Sequence, residues 1–278
     1  MLCKIFCGAR VAVALMKNTL RSLLVVGLFS ALPSFAEEEG FVPLFDGKTL
    51  NGWTSARVLA GEESAFSVNE EEKAIHVYAG REAGSKQETD CLNTEKEYSH
   101  FILKMEYKWL DKRFAPREEY DRDAGLLFHV HGDLKKIWPL CLEMQIGESP
   151  GDKKHGKGAE GRFHTGDLFV LGKDLRVDTK RKDGYYHPEG EVKNGKSYPT
   201  NLGVEKPKGE WNEMEIRVHG SEKATFIFNG VVVHEISNFT QKNADGETVP
   251  LEKGRIGIQA EWAELMYRNI RIKELTAE

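Results

Sequence analysis

The run Phe101-Ile-Leu-Lys-Met-Glu-Tyr-Lys-Trp-Leu110 constrains the fold more than any other part of this chain. Phe101, Leu103, Met105, Tyr107 and Trp109 fall on one side of an extended strand, with Lys104, Glu106 and Lys108 on the other. Alternation with period two marks a strand buried on one face only. The same pattern recurs at 74–79, 125–131, 140–146, 167–171, 213–218, 225–228, 231–236, 255–259 and 265–272. Asn229-Gly230, set between β-branched and aromatic residues, supplies the positive φ angles of a tight hairpin. No stretch beyond the leader holds a helical period for more than a turn or two. Many short strands separated by Gly and Pro predict an all-β sandwich or barrel, with no repeat or linker to divide it.

The first 36 residues read as an export signal. Ser22-Leu-Leu-Val-Val-Gly-Leu-Phe-Ser-Ala31 is too short to span a bilayer, follows Lys17 and Arg21, and leads into Pro33-Ser-Phe-Ala36. Cleavage after Ala36 is expected, leaving one domain at 37–278 with no membrane insertion; Met16 is an alternative start. The leader removes four of 39 basic residues and none of 44 acidic ones, so the remaining chain carries a net charge of −9. Such a surface lacks the basic face that nucleic acid requires, and it suits an exported, periplasmic or secreted protein. Cys91 and Cys141 remain. Export permits a bridge, but two separate buried thiols are the simpler expectation.

Two polar stretches, Gly147–Arg162 and Arg176–Lys208, are too long for hairpin turns, and long loops of this kind are either functional or plain solvated insertions. Charge inside the strands is the sharper signal. In Pro139-Leu-Cys-Leu-Glu-Met-Gln-Ile146, Cys141, Glu143 and Gln145 oppose Leu140, Leu142, Met144 and Ile146. A carboxylate in mid-strand needs water or a partner, so this face is expected to line a cleft. In Ala124–His131, strict alternation sets Leu127, His129 and His131 opposite Leu126, Phe128 and Val130. Two His at i, i+2 match strand-borne metal sites, and with Glu143 they form a candidate set for a divalent ion; hydrogen-bonded cleft histidines are the alternative. If the strands are neighbours, His129, His131, Glu143 and Gln145 form one patch, which His164 and Asp167 extend. Trp138 and Trp262 lie beside polar strand ends, where sugar rings stack on indoles, whereas Trp53 and Trp211 read as core.

Phe41-Val-Pro-Leu-Phe-Asp-Gly-Lys-Thr-Leu-Asn-Gly-Trp53 and the segment from Gly254 to Leu275 resemble the two ends of a bacterial family. This is the domain of unknown function 1080, or 3-keto-disaccharide hydrolase family, whose fold is a concanavalin A-like β-sandwich. The strand at Ala124–His131, the Trp138-Pro loop, the Glu143-x-Gln145 strand, Gly166-Asp-Leu-Phe-Val-Leu-Gly172 and Lys206–Ile216 follow the family order. Gly147–Thr165, between the Glu-x-Gln strand and Gly166-Asp167, departs from it.

The resemblance implies a carbohydrate ligand and cleavage of 3-keto-glycosides. A 3-keto group disfavours the oxocarbenium ion of ordinary glycosidases but acidifies the C2 proton, opening a route by elimination and water addition. That route needs a base, a partner for the enolate oxygen and an acid for the leaving oxygen. Glu143 is the first candidate base, ahead of His129 and His131. Arg268, Lys136 or a His-bound metal is expected at the enolate, and Gln145, Trp138, His164, Gln259, Glu261 and Trp262 are candidate substrate contacts. The competing expectations are a non-catalytic carbohydrate-binding module and an exported adhesion or scaffold domain, because one sandwich hosts many functions.

Overall fold

The computed structural model describes residues 38–148, 165–179, 196–197 and 204–276. The leader, His164 and the centres of both polar stretches lie outside the described residues. Among those described, nearly all regular structure is strand, in two antiparallel sheets, and the one helix is the single turn Ala56–Leu59. No helix among them is long and apolar enough to cross a membrane.

The larger sheet runs Arg176–Thr179, Val231–Lys242, Lys223–Phe228, Asn212–His219, His100–Arg113, Ala263–Glu274, Ala74–Val77, Phe66–Asn69. Val42–Pro43 adds to the last long strand, against Ile272 and Arg271, so the two segments that carry the family resemblance are neighbours. Leu44 N–H donates to Ile270 O at 2.8 Å, and Trp53 Nε1 donates to Leu44 O at 2.6 Å. Trp53 is buried, as its turn-delivered position suggests. The second sheet runs Lys196–Ser197, Leu168–Leu171, Leu140–Ile146, Ala124–His131, Arg255–Ala260, Asp90–Thr94, Trp53–Ser55.

The alternation of 101–109 is realised: Phe101, Leu103, Met105, Tyr107 and Trp109 are all buried between the sheets, in one apolar cluster with Phe128 and Met144 of the opposite sheet and Phe226 of their own. Burial of each such side chain contributes about 1.5–3 kcal/mol. Asn229 and Gly230, at φ 45° and 80°, close the expected hairpin.

The chain changes sheets at Glu261–Trp262. Arg255–Ala260 belongs to the seven-stranded sheet and Ala263–Glu274 to the ten-stranded one, with Trp262 at φ 56° making the turn. A second, smaller apolar cluster covers part of the outer face of the seven-stranded sheet. It joins Ala56, Cys91, Leu127, Val130 and Cys141 to Leu134 and Ile137 of the loop before Trp138. Both thiols are free and buried here, and burial raises the thiol pKa of each.

Candidate functional site

Register places the candidate polar residues of the seven-stranded sheet in adjacent rows. Gln145 pairs with Gly125, and Gln259 with Cys91. One step along, Glu143 pairs with Leu127, Leu127 with Gly257, and Gly257 with Asn93. Beyond the strand ends, Asp123 bridges to Glu261. The period-two reading of Glu143 and Gln145 therefore holds, and register adds Gln259 and Glu261 to the same outward face.

Gly125 makes the centre of that face possible. A Cβ there would sit 2.2 Å from Glu143 Oε1 and 2.4 Å from Gln259 Oε1, so both side chains fold over the bare glycine. Glu143 is 4% exposed. Burial first, then the charges of Glu261 and Asp123, push its carboxyl well above the usual range. Gln259 Oε1 is buried without a hydrogen-bond donor, crowded against Glu143. A protonated Glu143 has the O–H that this oxygen lacks.

Asp123, Arg117 and Glu261 form the rim. Gln145 Nε2 donates to Asp123 Oδ1, and Arg117 lies 3.5 Å from Asp123 Oδ2 and 3.7 Å from Glu261 Oε2. The Arg117–Asp123 segment is pinned by Glu148, which accepts from Arg122 and Arg113 at 2.6 Å each. Trp138 Nε1 donates to Glu261 Oε1 at 2.8 Å. Burial and the Asp123 charge nevertheless outweigh Trp138 and Arg117, and raise Glu261 to about 8. Trp138 is 47% exposed and stands 6.5 Å, centroid to centroid, from Trp262. Trp262 itself is anchored through Nε1 to Gln87 O at 2.8 Å and lies under the Arg117 guanidinium. Trp138 also lines a cavity of about 580 Å³ whose wall includes Lys136, Arg57 and Thr89.

Several expectations fail. His129 and His131 do not share a face with Glu143. The register shifts between Phe128 and His131, with His129 at φ 51°. This bulge inverts the alternation: Val130 joins Leu127 on the outer side, and His131 comes opposite the inner-face Leu140. His129 is fully buried against Phe128 and Phe239, with Nε2 2.9 Å from Gly220 O. Burial lowers its pKa to about 4. Gly254 permits the bulge, since a Cβ there would meet the His129 carbonyl carbon at 2.4 Å. The candidate metal set of His129, His131 and Glu143 accordingly does not converge. Among the described residues no three His, Cys, Asp or Glu are arranged to hold an ion.

Arg268 is likewise elsewhere. It lies on the ten-stranded sheet, 2.6 Å from Glu106 and stacked at 3.9 Å over Trp211. Trp211 is half-buried on that outer surface instead of in the core. Asp167 is buried next to Gln145, whose N–H donates to its carbonyl at 2.9 Å. Sequence reasoning missed Asp123 and Arg117. Their signal was the charged stretch Arg117-Glu-Glu-Tyr-Asp-Arg-Asp123 running straight into a strand that opens on a glycine.

With two antiparallel sheets, an apolar interior and a polar outer face, the molecule is a concanavalin A-like β-sandwich of the lectin type. Residues 40–273 match the 3-keto-alpha-glucoside-1,2-lyase-like domain, and the chain belongs to that family. A protein of Parabacteroides distasonis ATCC 8503, provisionally assigned as a glycosyl hydrolase, shares the fold at 18% identity and a TM-score of 0.53. The alignment covers 86% of this chain and 95% of that one. A second protein of that organism, with the same provisional assignment, has 20% identity and a TM-score of 0.49 over 84% and 99% of the two chains. The carbohydrate-binding module CBM66 from Bacillus subtilis aligns at 10% identity and a TM-score of 0.43, over 80% and 96%. No curated protein matches the sequence.

Proposed function

We propose that this protein is exported and cleaves 3-keto-glycosides at the rim formed by Asp123, Glu261 and Arg117. The observation that carries this reading is the buried carboxyl cluster next to an exposed indole, with Glu261 raised to about 8. A carboxyl of that kind holds a proton at neutral pH and releases it within reach of the working range, as acid–base catalysis requires. Asp123, between Arg117 and Gln145, takes the C2 proton. Arg117 meets the enolate oxygen at C3. The C1–O bond then breaks with its electron pair on oxygen, and Glu261 protonates that oxygen. Water adds to the resulting enone. Glu143, the first candidate base from sequence, is too deeply buried to be ionised at rest, and its part here is to hold Gln259 and the floor. Family membership supports this substrate class.

Binding of carbohydrate without turnover is the competing reading, favoured by the exposed Trp138. Exchange of the C2 proton of a 3-keto-glucoside in deuterated water, followed with product formation, separates the two. Glu261→Gln should lower turnover at least about 100-fold while leaving C2 exchange measurable. Full turnover by this variant removes Glu261 as the acid, and a native chain that binds the substrate with neither exchange nor product is a binding module. N-terminal sequencing of the exported protein should begin at Glu37; a retained leader would overturn export by signal cleavage.

A further inference from the structure

The cavity beside Trp138 and the carboxyl of Glu261 share one indole: its ring forms part of the cavity wall, and its Nε1 holds Glu261 Oε1 at 2.8 Å. Trp138 thus joins the cavity wall to the carboxyl proposed as the acid. At about 580 Å³ the space lies within the roughly 300–1,000 Å³ range of small-molecule sites. The charges on its wall do not balance. Arg57 pairs with Glu62 at 2.9 Å, and Glu88 pairs with Lys86 at 3.0 Å. Lys135 and Lys136, on the same wall, form no ion pair among the described residues. Nearby Asp133 accepts from the Lys135 backbone N–H at 3.1 Å and does not neutralise either ammonium by contact. Two exposed ammonium groups next to an aromatic wall suit a sugar or aryl ring that carries an anion.

Resting on the cleavage reading above, we infer that this cavity is the leaving-group subsite and selects 3-keto-glycosides whose leaving group bears an anionic substituent. The test compares a phenyl 3-keto-glucoside with its 4-carboxyphenyl counterpart at low ionic strength. The ratio of kcat/KM, acidic over neutral, should be on the order of fivefold, as expected of two exposed charge contacts. It should shrink with added salt and fall toward one in the double variant Lys135→Gln, Lys136→Gln. A ratio of one in the native chain, or a preference that survives the double substitution, overturns the inference. If neither substrate is cleaved, the cleavage reading fails on its own, and calorimetric binding of the two unoxidised glucosides decides the subsite. A matching affinity ratio that the double substitution abolishes supports it, and equal affinities reject it.

Discussion

The outer faces of the two sheets are built from the same residue types and differ in how charge is matched. On the ten-stranded sheet Glu106 meets Arg268 at 2.6 Å, Glu213 meets Arg271 at 3.2 Å, and Glu215 meets Arg217 at 2.5 Å. Trp211 there is covered by Arg268 and, at 4.6 Å, by Lys108. On the seven-stranded sheet three carboxyls, Asp123, Glu143 and Glu261, share one arginine, Arg117, which contacts only Asp123 and Glu261 of them, and two of the three are pushed up in pKa. Paired surface charges add little energy and no reactivity. Crowded, desolvated ones are held away from their preferred state, and that is the condition acid–base chemistry exploits.

Gly125→Ala should break this contrast most severely. Its methyl group has no room beside Glu143 and Gln259, so turnover should vanish and the melting point fall by an amount equivalent to about 1–3 kcal/mol. A variant that melts and turns over normally would show that the floor is not crowded. Next in size is a pH effect with two opposed parts. Glu261 sits at about 8 against a usual 4.5, so its contribution is fully present below pH 4.5 and is lost as pH rises toward 8. His129 sits at about 4 against 6.5, so its contribution is present above 6.5 and fades as pH falls toward 4. Chemical denaturation across pH 4–9 should show both limbs. Glu261→Gln should flatten the alkaline one and His129→Gln the acid one, and an unaltered profile in either variant would refute the corresponding assignment. Smallest of all, Arg268→Gln should cost no more than about 1 kcal/mol, since its ion pair is partly exposed, and should leave turnover of a 3-keto-glucoside within twofold. A large loss of activity would return Arg268 to the site and undo the distinction between the faces.

The sandwich was legible because alternation with period two survives in strands such as Phe101–Leu110, and because the turn residues at Asn229–Gly230 have few other uses. The site was legible in half. Parity put Glu143 and Gln145 together on the outer face, whereas Gln259, Glu261 and Trp138 were named only as candidate contacts and reach the same surface through the neighbouring strand and the loop. Parity also misplaced His129 and His131, because one inserted residue inverts every position beyond it, and the glycine that allows the insertion is far away at Gly254. Arg268 went astray for a different reason: two strands adjacent in sequence belong to different sheets, and a turn of two residues does not announce the crossing. Asp123 and Arg117 lie outside any strand, where alternation says nothing.

The pairing of Val42–Pro43 with Ile272 and Arg271 has a practical corollary. The opening and closing segments of the domain run side by side, so a short flexible tether can splice them, and new termini can be cut at the solvent-facing Asn229–Gly230 hairpin. Such a rewired chain keeps every strand neighbour it has now, with Asp123 and Glu261 joined through the new tether and the rim held by its unchanged strand pairing.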